Sequence, residues 1–187
     1  MARYFPRHTQ EWKQLETPSF QRLTRSLVEM AILTGVALRL FYAIANARAA
    51  SAGWIYLGTI FAIGMIILLG AATLHLGNYT LRHWAWRAPA FGAIEALAEC
   101  LTITILIAFG REPLGTGQAT WSDWPGLAFN AIFWRTISVS VFALVLGGAV
   151  KLVRKVLTRS GAPVIDDTPV STESIQYKGR DATSHAS

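Results

Sequence analysis

Five charged residues lie inside stretches that are otherwise apolar: Glu29, Arg39, Glu95, Glu99 and Arg135. A charge at the centre of a bilayer costs about 3 kcal/mol on insertion scales, so such groups are expected to pair in a bundle interior or to line a water-filled path. Two kinds of chemistry are open to them. Strung along a path, carboxylates and guanidiniums would pass protons or ions, or bind an anionic substrate. Closed on one another, they would form an ion-pair network that fixes helix register or meets a partner subunit. Two arginines with glutamates nearby can largely neutralise one another, which favours the closed arrangement.

Depth along the apolar stretches supports a meeting. At ~1.5 Å per residue, Arg39 stands about 18 Å beyond Leu27, Glu99 about 14 Å beyond Ala90, and Arg135 about 22 Å before Val150. An arginine side chain covers those differences, so the spacing predicts an Arg39–Glu99–Arg135 cluster. Glu29, His75 and Glu95 make a second group nearer one surface. Gly92, Glu95, Ala96, Glu99 and Thr102 share a helical stripe, and Ala31, Gly35, Arg39 and Ala43 follow one another at four-residue spacing. Small residues let membrane helices approach closely, and polar ones bond across the contact. Glu29 points about 80° away from Arg39 around the helix, off that stripe.

Other groups carry weaker signals. His75 is a candidate haem ligand or proton site, but its nearest histidine is His83 in a basic segment, and a histidine at a helix end suits the head-group zone. Cys100 is the lone cysteine and reads as a small core residue. The connection from Arg111 to Gly126 holds Trp121, Asp123 and Trp124, which anchor a surface loop or form a lid or partner contact. Asn78-Tyr79-Thr80 matches a glycosylation sequon on the side where it would not be used. Gly-x-Ser-x-Gly, HExxH, CxxC, paired metal-binding histidines and nucleotide loops are all absent from the sequence. No metal set is present, the cofactor is left open, and nothing argues positively for an enzyme.

The elements that would hold these residues follow from hydropathy. Charged residues make up 15% of the 187, against roughly 25% in a soluble domain, and they concentrate at the two ends. Apolar runs read as four spans, about 27–46, 54–76, 90–110 and 127–150, each long enough for a hydrocarbon layer of roughly 30 Å. The expected architecture is an all-α, four-helix transmembrane bundle over 27–150. An interfacial segment 1–26 precedes it, and a basic stretch with a disordered polar tail, 151–187, follows. Thr17-Pro18 reads as an N-cap with proline at the first helical position, starting a helix that runs on into the first span.

The net charge of +6 forms no dense patch, so nucleic acid is not an expected partner. Instead, thirteen of the seventeen Lys and Arg fall in 1–26, 77–89 and 151–187, the segments that share one side. The positive-inside rule then puts both termini in the cytoplasm. Trp54, Trp121, Trp124 and Trp134 gather towards the other face, and Trp84 and Trp86 towards this one, as aromatic belts do. Thirteen arginines against four lysines, with abundant alanine, suit a bacterial inner-membrane protein. The functional expectation is a non-catalytic accessory or scaffolding subunit meeting the lipid bilayer and other membrane subunits or copies of itself. The alternatives are a small oligomeric transporter or channel component using Glu95, Glu99 and Arg135, and a haem-type anchor using His75.

Overall fold

The computed structural model describes residues 17–47, 53–115 and 117–159. Within these, the chain is mostly helical: α1 (Pro18–Arg25), α2 (Leu27–Asn46), α3 (Trp54–Leu76), α4 (Leu81–Ala108) and α5 (Trp124–Arg159). A two-residue hairpin, β1 (Pro113–Leu114) and β2 (Gly117–Gln118), lies between α4 and α5 and is antiparallel. The last four helices are long and apolar enough to cross a membrane.

Local chemistry sets the ends of the first elements. The Thr17 side chain accepts from the Phe20 N–H at 3.4 Å, and Pro18 opens α1. The helix expected to run on from there is instead broken at Ser26, whose backbone is extended. The Ser26 hydroxyl accepts the Glu29 N–H at 3.2 Å and so caps α2. Ser26-Leu27-Val28-Glu29 has the spacing of a capping box, a restart signal present in the sequence.

Two spans differ from the hydropathy reading. The third begins at Leu81 rather than Ala90 and ends at Ala108, with Pro89 inside it. Arg82, His83, Trp84, Trp86 and Arg87, expected in a loop, occupy its first two turns; polar and aromatic residues end a hydropathy window without ending a helix. A mid-helix proline forfeits one backbone bond but not the helix when neighbours pack around it. The fourth runs from Trp124 to Arg159 instead of 127–150, so the basic stretch after Val150 is helical through Arg159. The expectations for 1–16 and for the tail from Ser160 onward lie outside the described residues.

α4 is the central helix. It packs along α5 on one side and α2 on the other, while α3 leans chiefly on α2. Over half of its apolar stretch, 56%, is buried, against 22% for α3. The α3 contact stripe is narrow, Ile60, Gly64, Leu68 and Ala72 at four-residue spacing. Its other faces present Ile55, Phe61 and Ile66 outward.

Glycines bring the central helices together. A Cβ on Gly35 of α2 would overlap the Glu95 carbonyl oxygen of α4, and one on Gly92 of α4 would come within 2.9 Å of the Thr136 Cα of α5. Backbone thus meets backbone on both sides of α4. Both contacts fall beside the charged residues.

Candidate functional site: a buried charge cluster

α4 carries Glu95 and Glu99 one turn apart on its buried face, 0% and 2% exposed. α2 supplies Arg39 and α5 supplies Arg135. Arg135 Nε donates to Glu99 Oε2 at 2.9 Å, and Arg39 Nη1 donates to Glu99 Oε1 at 3.4 Å. Glu99 therefore bridges two guanidiniums from helices on opposite sides of its own. Arg135 also lies 4.0 Å from Glu95 Oε1 and faces the Tyr42 ring at 5.4 Å. The structure brings four of the predicted residues together: Arg39, Glu95, Glu99 and Arg135.

A fifth member, Glu112, is missing from the sequence reading. It follows α4 in the connection to α5, yet it is fully buried. Arg39 Nε donates to its Oε2 at 3.2 Å, and Arg39 Nη2 pairs with its Oε1. The fold-back rests on a helix stop. Gly110, at φ +59°, gives its N–H to Ile107, and Arg111 gives its own to Leu106 at 2.8 Å, the Schellman pattern that glycine favours. The next residue is then turned back toward Arg39 of α2. A glycine two residues before an acid, just past a long apolar run, is the signal that could have found it.

The balance of charge is uneven. Two guanidiniums face three carboxylates, and neither Glu95 oxygen has a hydrogen-bond partner. Glu95 is the one acid in the cluster held only by proximity to a cation. A buried polar group left unpaired costs free energy that the rest of the bundle must offset.

Glu29 and His75 do not join Glu95 in a second group. Glu29 sits in the first turn of α2, half-exposed, 3.5 Å from the exposed Arg22, and such a pair contributes little. His75 is fully buried at the other end of the bundle. Its Nδ1 bonds the Thr24 carbonyl at 3.0 Å, and Arg87 Nη1 donates to Nε2 at 3.2 Å. This pairing assigns the proton to Nδ1 and leaves no free ring lone pair for a metal. Asn78 also donates to the Thr24 carbonyl at 3.1 Å, and the Tyr79 hydroxyl to the Arg25 carbonyl at 2.6 Å. Together these side chains satisfy the last carbonyls of α1, which a helix end leaves open. The Arg87 guanidinium lies 3.4 Å from the Tyr79 ring centroid.

The connection residues divide by role. Trp124 donates to the Thr104 hydroxyl at 2.8 Å and packs beside Cys100 and Ala128. Trp121 stands outward. Asp123 accepts the Thr120 N–H at 2.9 Å and the Thr120 hydroxyl at 2.7 Å. Those two bonds hold its exposed carboxyl below the ordinary value of 3.8, the backbone one contributing more. Among the described residues, no three His, Cys, Asp or Glu side chains meet so as to hold a metal ion.

Fold and site together describe a helical bundle with four potential membrane spans, centred on an ion-paired core. No protein-family model, curated protein or solved structure matches the chain.

Proposed function

We propose that the chain is a multi-pass protein of a bacterial inner membrane, with both termini cytoplasmic, serving as a non-catalytic accessory or scaffolding subunit of a larger membrane complex. The orientation is supported by the side on which the basic residues gather. The functional reading rests on one observation: the charge cluster is closed. Each guanidinium lies between two carboxylates, with glycine-mediated backbone contacts beside them. A network of that kind sets the register of three helices and a connection. Meanwhile α3 offers apolar faces that the other described residues leave uncovered, suited to lipid or to a neighbouring subunit.

Purification in mild detergent followed by mass spectrometry tests this reading. A stoichiometric membrane partner is the expected result. A chain that purifies alone and conducts ions or protons in proteoliposomes would overturn it.

One observation favours a second reading, transport. Glu95 is a buried acid without a hydrogen bond in a cluster with one carboxylate to spare, the arrangement a proton-exchanging group requires. Proton flux abolished by Glu95→Gln would establish it. Topology is checked with reporters: one active only in the cytoplasm should give signal when fused after Ser187 and none when inserted after Asp123.

A further inference from the structure

A cavity of about 590 Å³ opens between the first turns of α4 and the later turns of α5, away from the charge cluster. Its walls are apolar or small: Trp84 and Ala88 from α4, Ala143, Leu144 and Gly148 from α5. Two cations, Arg82 and Lys151, stand together at one end, because α4 and α5 run antiparallel. Both are exposed, and among the described residues neither has an ionic partner. The α5 residues lining the cavity run from Ser140 to Lys151, about 16 Å at ~1.5 Å per residue. That is one leaflet of a hydrocarbon core roughly 30 Å thick. The charged end is also the end carrying Trp86 and the 77–80 turn, the face assigned above to the cytoplasm.

From this geometry we infer that the cavity is a binding site for an anionic glycerophospholipid of the cytoplasmic leaflet, one acyl chain lying along the groove and the phosphate between Arg82 and Lys151. A helix from another protein would fill the apolar part but leave two unpaired cations at its rim. A free phosphate would use the cations and leave the groove wet. A lipid satisfies both, and basic pockets between spans on the cytoplasmic side bind anionic head groups in this way.

The inference depends on membrane insertion, so its test separates the two. Carbonate extraction of membranes from expressing cells comes first. Release into the soluble fraction would defeat the membrane reading and this one with it. Retention leaves the groove to be judged on its own. The full chain in detergent is then titrated with phosphatidylglycerol or phosphatidylcholine of identical acyl chains and analysed by native mass spectrometry.

One phosphatidylglycerol should be retained, about thirtyfold more tightly than phosphatidylcholine if each cation contributes as basic residues do near anionic lipid. Arg82→Gln with Lys151→Gln should bring it down to the phosphatidylcholine level, while Arg22→Gln with Arg159→Gln should not. Gly148→Leu, where an added Cβ meets nothing within 4 Å, should weaken both lipids by filling the groove. Equal retention of the two lipids by the unmodified chain would overturn the assignment, as would an equal loss from the Arg22 and Arg159 variant. Persistence in Gly148→Leu, or a second copy of the chain that Gly148→Leu removes, would do the same.

Discussion

The carbonyl oxygen of Glu95 occupies the space that a Cβ on Gly35 would need. Because Gly35 and Arg39 are one turn apart on α2, and Glu95 and Glu99 one turn apart on α4, this contact sets the height at which Arg39 meets Glu99. Packing and charge pairing are thus specified by the same two turns.

Gly35→Ala should therefore disturb both. Overpacking of a close contact costs about 1–3 kcal/mol, so Tm in detergent should fall. Gly58→Ala, on an open face of α3, should be neutral or stabilising, since alanine exceeds glycine in helix propensity by about 1 kcal/mol.

The two acids of α4 should respond differently to neutralisation. Glu99→Gln removes the negative charge between two guanidiniums and one of the two oxygens they bond, and breaking a buried pair costs about 3–5 kcal/mol. Adding Arg135→Gln should recover part of that loss in a double-mutant cycle on thermal stability. Glu95→Gln loses no hydrogen bond and should cost far less, or stabilise. Equal losses at the two positions would refute the closed-network account.

Glu112→Gln should act locally. Arg39 loses a charged partner beyond the end of α4, and the anchor of the connection to α2 weakens to a hydrogen bond with a neutral acceptor. Hydrogen exchange is expected to quicken from Arg111 to Thr120, whereas the middle of α4 keeps its protection.

At the opposite end, His75→Phe removes one donor from the Thr24 carbonyl and takes the acceptor from Arg87. Unsatisfied buried groups cost about 1–3 kcal/mol. Proteolysis should then cut more readily near Ser26, where α1 is already separate from α2.

Acid should loosen the Thr120–Asp123 turn. The folded carboxyl is held below its ordinary value of 3.8, so the stabilisation is complete above that pH and disappears as pH falls through the lower, folded value. Trp121 fluorescence should stay flat from neutral pH to about 5 and change only under stronger acid. Asp123→Asn should abolish that acid step.

How far this was legible in the sequence depends on the kind of signal. α2 and α3 have the bounds their hydropathy predicts, Leu27–Asn46 and Trp54–Leu76, because polar or small residues flank each run. α4 and α5 overrun theirs: Arg87 and Lys151 lower the hydropathy, but side chains of that kind belong at the ends of membrane-length helices. Arg39, Glu99 and Arg135 can be matched by depth because helical rise is constant. Glu112 cannot, since its position depends on a reversal at Gly110 that carries no periodicity. The engagement of His75 with Thr24 joins residues 51 apart through an irregular turn, beyond what spacing on one helix reveals.

Arg39 and Glu99 are separated by 60 residues of chain, and Arg39 and Glu112 by 73. In a chain made from its N-terminus at about 5–20 residues per second, Arg39 emerges roughly 3–12 s before its first carboxylate exists. On the membrane-spanning reading proposed above, a lone guanidinium at mid-span carries an insertion penalty of about 3 kcal/mol over that interval. On that reading the first span waits beside the insertion machinery or in contact with water until α4 arrives. Arg39→Leu should then shorten that wait, and the residue that helps hold the finished bundle would also be the one that slows its assembly.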